Sequence, residues 1–207
     1  MYISSKIGTS IRGCFCLGSD LLKQTKPGKA VLNVIKQQIG REPRGVLEVK
    51  TTCRWGYPQV IVNRPVSALT SDLEVFPTMY WLTCPYLCRE IAALESAGVI
   101  AQFEERIAQD PEFAEAMAES HATYAKERLA LIPKDVQKRL EQEYPERYQV
   151  LARSGVGGIR SPQGVKCLHT HAADYLARGT NAIGAETLEM LGKPWFCPEA
   201  ECREYDQ

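Results

Sequence analysis

The stretch GVLEVKTTCRWGYPQVIVNRP, Gly45 to Pro65, decides the fold. Two runs rich in Val, Ile and Thr flank the breaker RWGY. Branched side chains suit a pleated, half-buried surface, and a Gly between two such runs marks a turn. The stretch therefore predicts a β-hairpin, with strands near 45–53 and 58–63. A third strand is expected in FPTMYWLTCP, from Thr78 to Thr83, where aromatic and branched residues recur. On the N-terminal side, AVLNVIKQQIG puts Val31, Val34, Ile35 and Ile39 on one helical stripe, with Gly40 placed to stop the helix.

Beyond Thr83 the sequence reads as helical. Pro85 fits the first helical position, which makes Cys84 the N-cap of a helix ending at Gly98. VIAQFEERIAQD follows, and Asp110 then caps a long helix that again opens on Pro. KDVQKRLEQEYPERYQVLARSG predicts one or two helices broken at Pro145. Further helices are expected from about Gly164 to Arg178, stopped by Gly179, and from Ala185 to Leu191. The expected architecture is a single α+β domain over 29–192, a small antiparallel sheet packed on a mainly helical part. Residues 1–28 and 193–207 read as tails.

The chain has 207 residues, with 25 Lys and Arg against 25 Asp and Glu. Net charge of zero supplies no bulk attraction for nucleic acid or an anionic membrane. No apolar run approaches the roughly 18–20 residues of a spanning helix, and the first residues show no continuous apolar core of a secretion signal. A cytoplasmic protein is expected. Eight cysteines then read as ligands, reactive thiols or small buried hydrophobes rather than as disulfides.

Cys and His positions carry the sharpest chemical signal. CPYLC sets Cys84 and Cys88 four apart, and CLHTH sets Cys167 and His171 four apart; residues so spaced share a helix face. Two such pairs on facing helices make a four-ligand, zinc-type site. Cys53, at the end of the first strand, is an alternative to Cys88, which sits mid-stripe and reads better as core. His169 is an alternative to His171. A helix N-terminus lowers a thiol pKa, and Cys84 and Cys167 are both placed for that. A redox pair is the rival reading, but the C-x-x-C of thioredoxin-like chemistry is missing from these positions. IRGCFC and CPEAEC fall in the tails, with three readings open, a pairing, weak binding of a second metal or no role, of which the last is the plainer.

Cations form a second group. SGVGGIRSPQG departs from both the dinucleotide and the Walker patterns, yet a glycine-rich turn into a helix exposes N–H groups to an anion, and Arg160 and Lys166 add charge. The plainer reading is a connection between helices. His121, Tyr124 and Arg128 share one helical face, fit for anion binding or acid–base work. Arg44 joins them if the cations converge on a phosphate- or carboxylate-bearing molecule.

Four blocks together, GREPRGVLEVKTTCRWGYPQVI, FPTMYWLTCPYL, ESHATYAKER and GGIRSPQGVKCLHTHAADYLARGTNAIG, resemble the bacterial family called domain of unknown function 501, over about residues 33–191. The resemblance implies no activity. It does imply motif positions at Cys53, Cys84, Cys167 and His169, which become the expected ligand set with His171 in reserve. It implies motif positions at His121, Tyr124 and Arg128 as well. The first expectation is a metal-binding domain, with zinc as the metal. The second is an enzyme or binding protein for a phosphorylated or anionic small molecule. The third is a non-catalytic protein-interaction module linked to cell division.

Overall fold

The structure, a computed structural model, describes residues 27–67 and 72–206. The quoted stretch forms β1 (Val46–Thr52) and β2 (Pro58–Asn63), an antiparallel hairpin as expected. Its turn is closed by hydrogen bonds from Cys53 N to Tyr57 O and from Gly56 N to Cys53 O, both 2.9 Å. Two short strands, β3 (Val66–Ser67) and β4 (Glu74–Val75), pair as a separate ribbon. β5 (Tyr80–Leu82) then joins β2, giving the order β1-β2-β5. The predicted third strand is shorter than expected because the backbone N–H of Met79 donates to the Tyr124 hydroxyl at 2.6 Å.

All six residues of β2 are buried, and alternation along the strand explains how. Ile61 points to α1 (Lys29–Ile39), where it meets Ile35. Val60 and Val62 point the other way, onto Tyr124, Val156 and Ala173 of the helical part. The sheet is thus covered on both faces.

The helical part runs α2 (Pro85–Ser96), α3 (Val99–Gln109), α4 (Pro111–Ala130), α5 (Lys134–Glu143), α6 (Pro145–Arg153), α7 (Leu168–Arg178) and α8 (Ala182–Leu191). Pro opens α2, α4 and α6, and Asp110 caps α4 by accepting from Glu112 N and Phe113 N at 3.1 Å each. Leu87, Ile91, Met117, Leu168, Ile183 and Leu188, all wholly buried, interlock α2, α4, α7 and α8. The architecture is α+β, as expected.

Three boundaries differ from the sequence reading. α7 starts at Leu168, not Gly164, because Val165 N donates to Glu104 Oε1 of α3 at 3.0 Å and holds the chain extended. α8 starts at Ala182, not Ala185, because the Asn181 side chain accepts from Gly184 N at 2.8 Å. Residues 193–206, expected as a tail, are folded onto the domain. Gln59 Nε2 donates to Trp195 O (2.6 Å), Trp55 Nε1 to Cys197 O (3.0 Å) and Trp195 Nε1 to Leu188 O (2.9 Å), and a 3₁₀ turn spans Glu201–Tyr205. The N-terminal tail reading, with Cys14 and Cys16, lies outside the described residues. Among the described residues no helix is long and apolar enough to cross a membrane.

Candidate functional site

The late start of α7 builds a site. Cys167 becomes the N-cap, with extended backbone, and its side chain stands beside the first free N–H groups of the helix. Glu95, in the last turn of α2, reaches across: its Oε1 accepts from Leu168 N at 2.6 Å and meets His169 Nδ1 at 3.0 Å. The other imidazole nitrogen, Nε2, faces the Cys88 carbonyl at 3.1 Å. The Cys167 thiol lies 3.5 Å from Thr170 Oγ1, whose hydroxyl donates to Cys167 O at 3.0 Å. One ligand atom each from Glu95, Cys167 and His169 falls within 4.8 Å of the other two, and all three residues are half-buried.

Charges in this group are coupled. Burial alone would push the Cys167 thiol up, but hydrogen bonding with His169 and Thr170 outweighs it and leaves the thiol below its ordinary value. The same contact with Cys167 is the main reason the His169 imidazole is held up at about 9, against the opposing effect of burial and helped by the Cys88 carbonyl and Glu95.

The expected ligand set divides three ways. Cys167 and His169 come together with Glu95. Cys53 and Cys84 stand apart from them, at the mouth of the hairpin and the N-cap of α2. The expected lowering of the Cys84 thiol is reversed, because burial pushes it up to about 12. His171 is wholly buried one helical turn away from Cys167, with Nδ1 3.2 Å from Asn181 Oδ1. It belongs to a buried network in which Asn181 Nδ2 donates to Asp174 and Arg178 pairs with Asp174.

The cationic set is corrected more sharply. Arg128 and Tyr124 are wholly buried. Arg128 spends its guanidinium on the carbonyls of Leu151, Ser154, Gly155 and Pro77, so it has nothing left for an anion. The Tyr124 oxygen accepts from Met79 N and Tyr80 N. His121 Nδ1 accepts from Val156 N at 3.2 Å. Arg44 and Arg160 are exposed, and Lys166 donates to Gly157 O at 2.6 Å. In the first part of the glycine loop the N–H groups of Ser154, Gly155, Val156, Gly158 and Ile159 are committed within the fold and so are not offered to an anion. Gly155 is there for close approach, since a Cβ would stand 2.5 Å from the His121 ring.

A family model described as protein of unknown function (DUF501) matches residues 49–189. The chain belongs to this family. No curated protein and no solved structure matches it. The DUF501 match spans Cys53, Cys84, Glu95, Cys167 and His169, and stops before Cys197 and Cys202. The sequence reading missed Glu95 because nothing marks one carboxylate among 25 acidic residues. The available signal was helical spacing: Glu95 lies seven after Cys88, on the same face of α2.

Proposed function

We propose that Glu95, Cys167 and His169 hold a divalent, zinc-type metal ion with a fourth position left to solvent. The observation that carries this reading is the convergence of a carboxyl, a thiol and an imidazole nitrogen, all within 4.8 Å of one another, in a half-buried site. A divalent cation entering there displaces the protons these groups share, and one thiolate and one carboxylate ligand balance its charge. The donor types suit zinc, and ligand atoms about 3.5 Å apart follow from liganding distances of roughly 2.0–2.3 Å. His169 Nε2 on the Cys88 carbonyl is the outer contact that fixes a ligating imidazole through its other nitrogen. A metal with one open position supplies Lewis acidity and an activated water. The Glu95 contact with Leu168 N orients the group. The six free thiols of the described residues support a reducing, cytoplasmic setting.

Elemental analysis of untagged protein tests this reading. Cys167→Ser and His169→Asn should each lower the metal content by one ion per chain with helix content kept. Unchanged metal content in both variants would sink it. One observation favours a second reading, a nucleophilic thiol: hydrogen bonding with His169 and Thr170 lowers the Cys167 thiol without any metal. In that case chelated protein alkylates at Cys167 with iodoacetamide while wild-type protein as purified carries no ion at this site.

A further inference from the structure

We propose that Cys53, Cys84, Cys197 and Cys202 form a second metal site, a tetrathiolate of zinc type, that clamps the C-terminal segment onto the hairpin and the start of α2. It shares no residue with the Glu95 group and does not depend on it.

Three pieces of chain meet at the Pro58 carbonyl, and a fourth lies one contact away. The carbonyl accepts from Gln38 Nε2 of α1 at 2.8 Å and from Thr83 Oγ1, next to Cys84, at 3.3 Å. The same Gln38 nitrogen lies 3.4 Å from Cys202 Sγ. Cys53 closes the turn that ends at Pro58, and Trp55 of that turn donates to Cys197 O. Arg89 of α2 binds both carboxylate oxygens of Glu201 at 3.0 Å, which fixes the residue before Cys202. Cys202 is accordingly within electrostatic reach of Cys53, Cys84 and Cys197.

Packing alone does not account for these thiols. Cys84, Cys197 and Cys202 are each 5% exposed, yet only Cys84 belongs to an apolar cluster of the core. Cys197 and Cys202 lie outside those clusters, and the Cys202 sulfur has the polar Gln38 Nε2 beside it. None of the four is in a disulfide. Cys197 and Cys202 have the C-x4-C spacing that structural zinc sites use. An amide N–H on a sulfur, as at Gln38, is the outer contact that a metal-bound thiolate takes. Among the described residues no three of these sulfurs lie within 4.8 Å of one another. Binding therefore draws them to about 3.8 Å, the separation that a Zn–S distance of about 2.3 Å sets in a tetrahedron. Up to four thiol protons pass to solvent as the ion enters. The N-terminus of α2 and Arg89 offset the added negative charge.

The test is metal stoichiometry in the full chain, purified untagged and without chelator. Cys197→Ser, Cys202→Ser and Cys84→Ala should each lose one ion per chain, whereas Cys84→His keeps it. Cys167→Ser should leave this ion in place, so failure here is distinct from failure at the Glu95 group. Cobalt-loaded Cys167→Ser should show a thiolate-to-cobalt charge-transfer band several-fold stronger than one thiolate gives; this arm holds even if Cys197→Ser or Cys202→Ser does not fold. Metal content unmoved by Cys197→Ser and Cys202→Ser, a weak or missing charge-transfer band, or a Cys197–Cys202 disulfide in the unreduced mass would each overturn the proposal.

Discussion

Acidification should destabilise the protein through His171. Its Nδ1–H donates to Asn181 Oδ1, whose other partner is Gly184 N, while Nε2 is buried with no hydrogen-bond partner. His121 accepts from Val156 N at Nδ1, so its own proton is on Nε2, also buried and without a partner. The two rings are 6.2 Å apart between centroids. A second proton on His171 would be buried uncompensated beside another N–H. Burial first, and then His121, therefore holds the His171 imidazole down at about 3 against its ordinary 6.5. A depressed imidazole contributes its stability in full above about 6.5, where the unfolded chain is also neutral, and loses it as pH falls. At pH 5 the unfolded chain is about 1.5 pH units into protonation, worth about 2 kcal/mol at 1.36 kcal/mol per unit. Two groups run the other way: Asp174, whose carboxyl burial pushes up, and His169, raised to about 9. Both are kept in His171→Gln, so the comparison of variant with wild type cancels them. Urea unfolding of chelated protein at pH 7.5 and pH 5.0 measures the effect. The stability advantage of wild type over His171→Gln should shrink by about 2 kcal/mol between the two; with a slope of about 2 kcal/mol per M, wild type loses about 1 M more in midpoint. Parallel losses, or a folded-state imidazole signal titrating near 6.5, would refute the reasoning.

Other consequences follow from packing and hydrogen bonding. Gly184→Ala places a Cβ 2.1 Å from His171 O, forcing α7 and α8 apart; the melting temperature should fall by the equivalent of about 1–3 kcal/mol, and an unchanged melt would contradict it. Arg128→Met strips donors from the carbonyls of Leu151 and Ser154, and denaturant titration should show a loss of at least about 3 kcal/mol. If Arg128 instead served an anion site, stability would hold and only ligand binding would change. Tyr124→Phe leaves Met79 N and Tyr80 N without their shared acceptor; a loss of about 1–3 kcal/mol is expected, with amide exchange accelerated at those two residues.

Local patterns were legible in the sequence and tertiary ones were not. The hairpin could be read because runs of branched residues and the RWGY turn are local properties, and α4 because Asp110 and Pro111 mark its start. The start of α7 depends on Glu104, sixty-one residues before Val165, and no local signal carries that. Arg128 sits in a polar-looking helix; only the return of the chain after α6 supplies the carbonyls that bury it. For the candidate site, Cys167 and His169 could be found by residue type and spacing. Glu95 had no such mark, and Cys197 and Cys202 were discounted for their position near the end of the chain.

The return of residues 193–206 to the hairpin has a consequence for biosynthesis. Trp55 and Gln59 find their partners at Cys197 and Trp195, and Asn33 meets the Tyr205 carbonyl at 3.5 Å, 172 residues along the chain. A ribosome emits the hairpin long before it emits those partners. Until residues 193–206 emerge, the turn end of the hairpin and the neighbouring face of α1 wait without these partners.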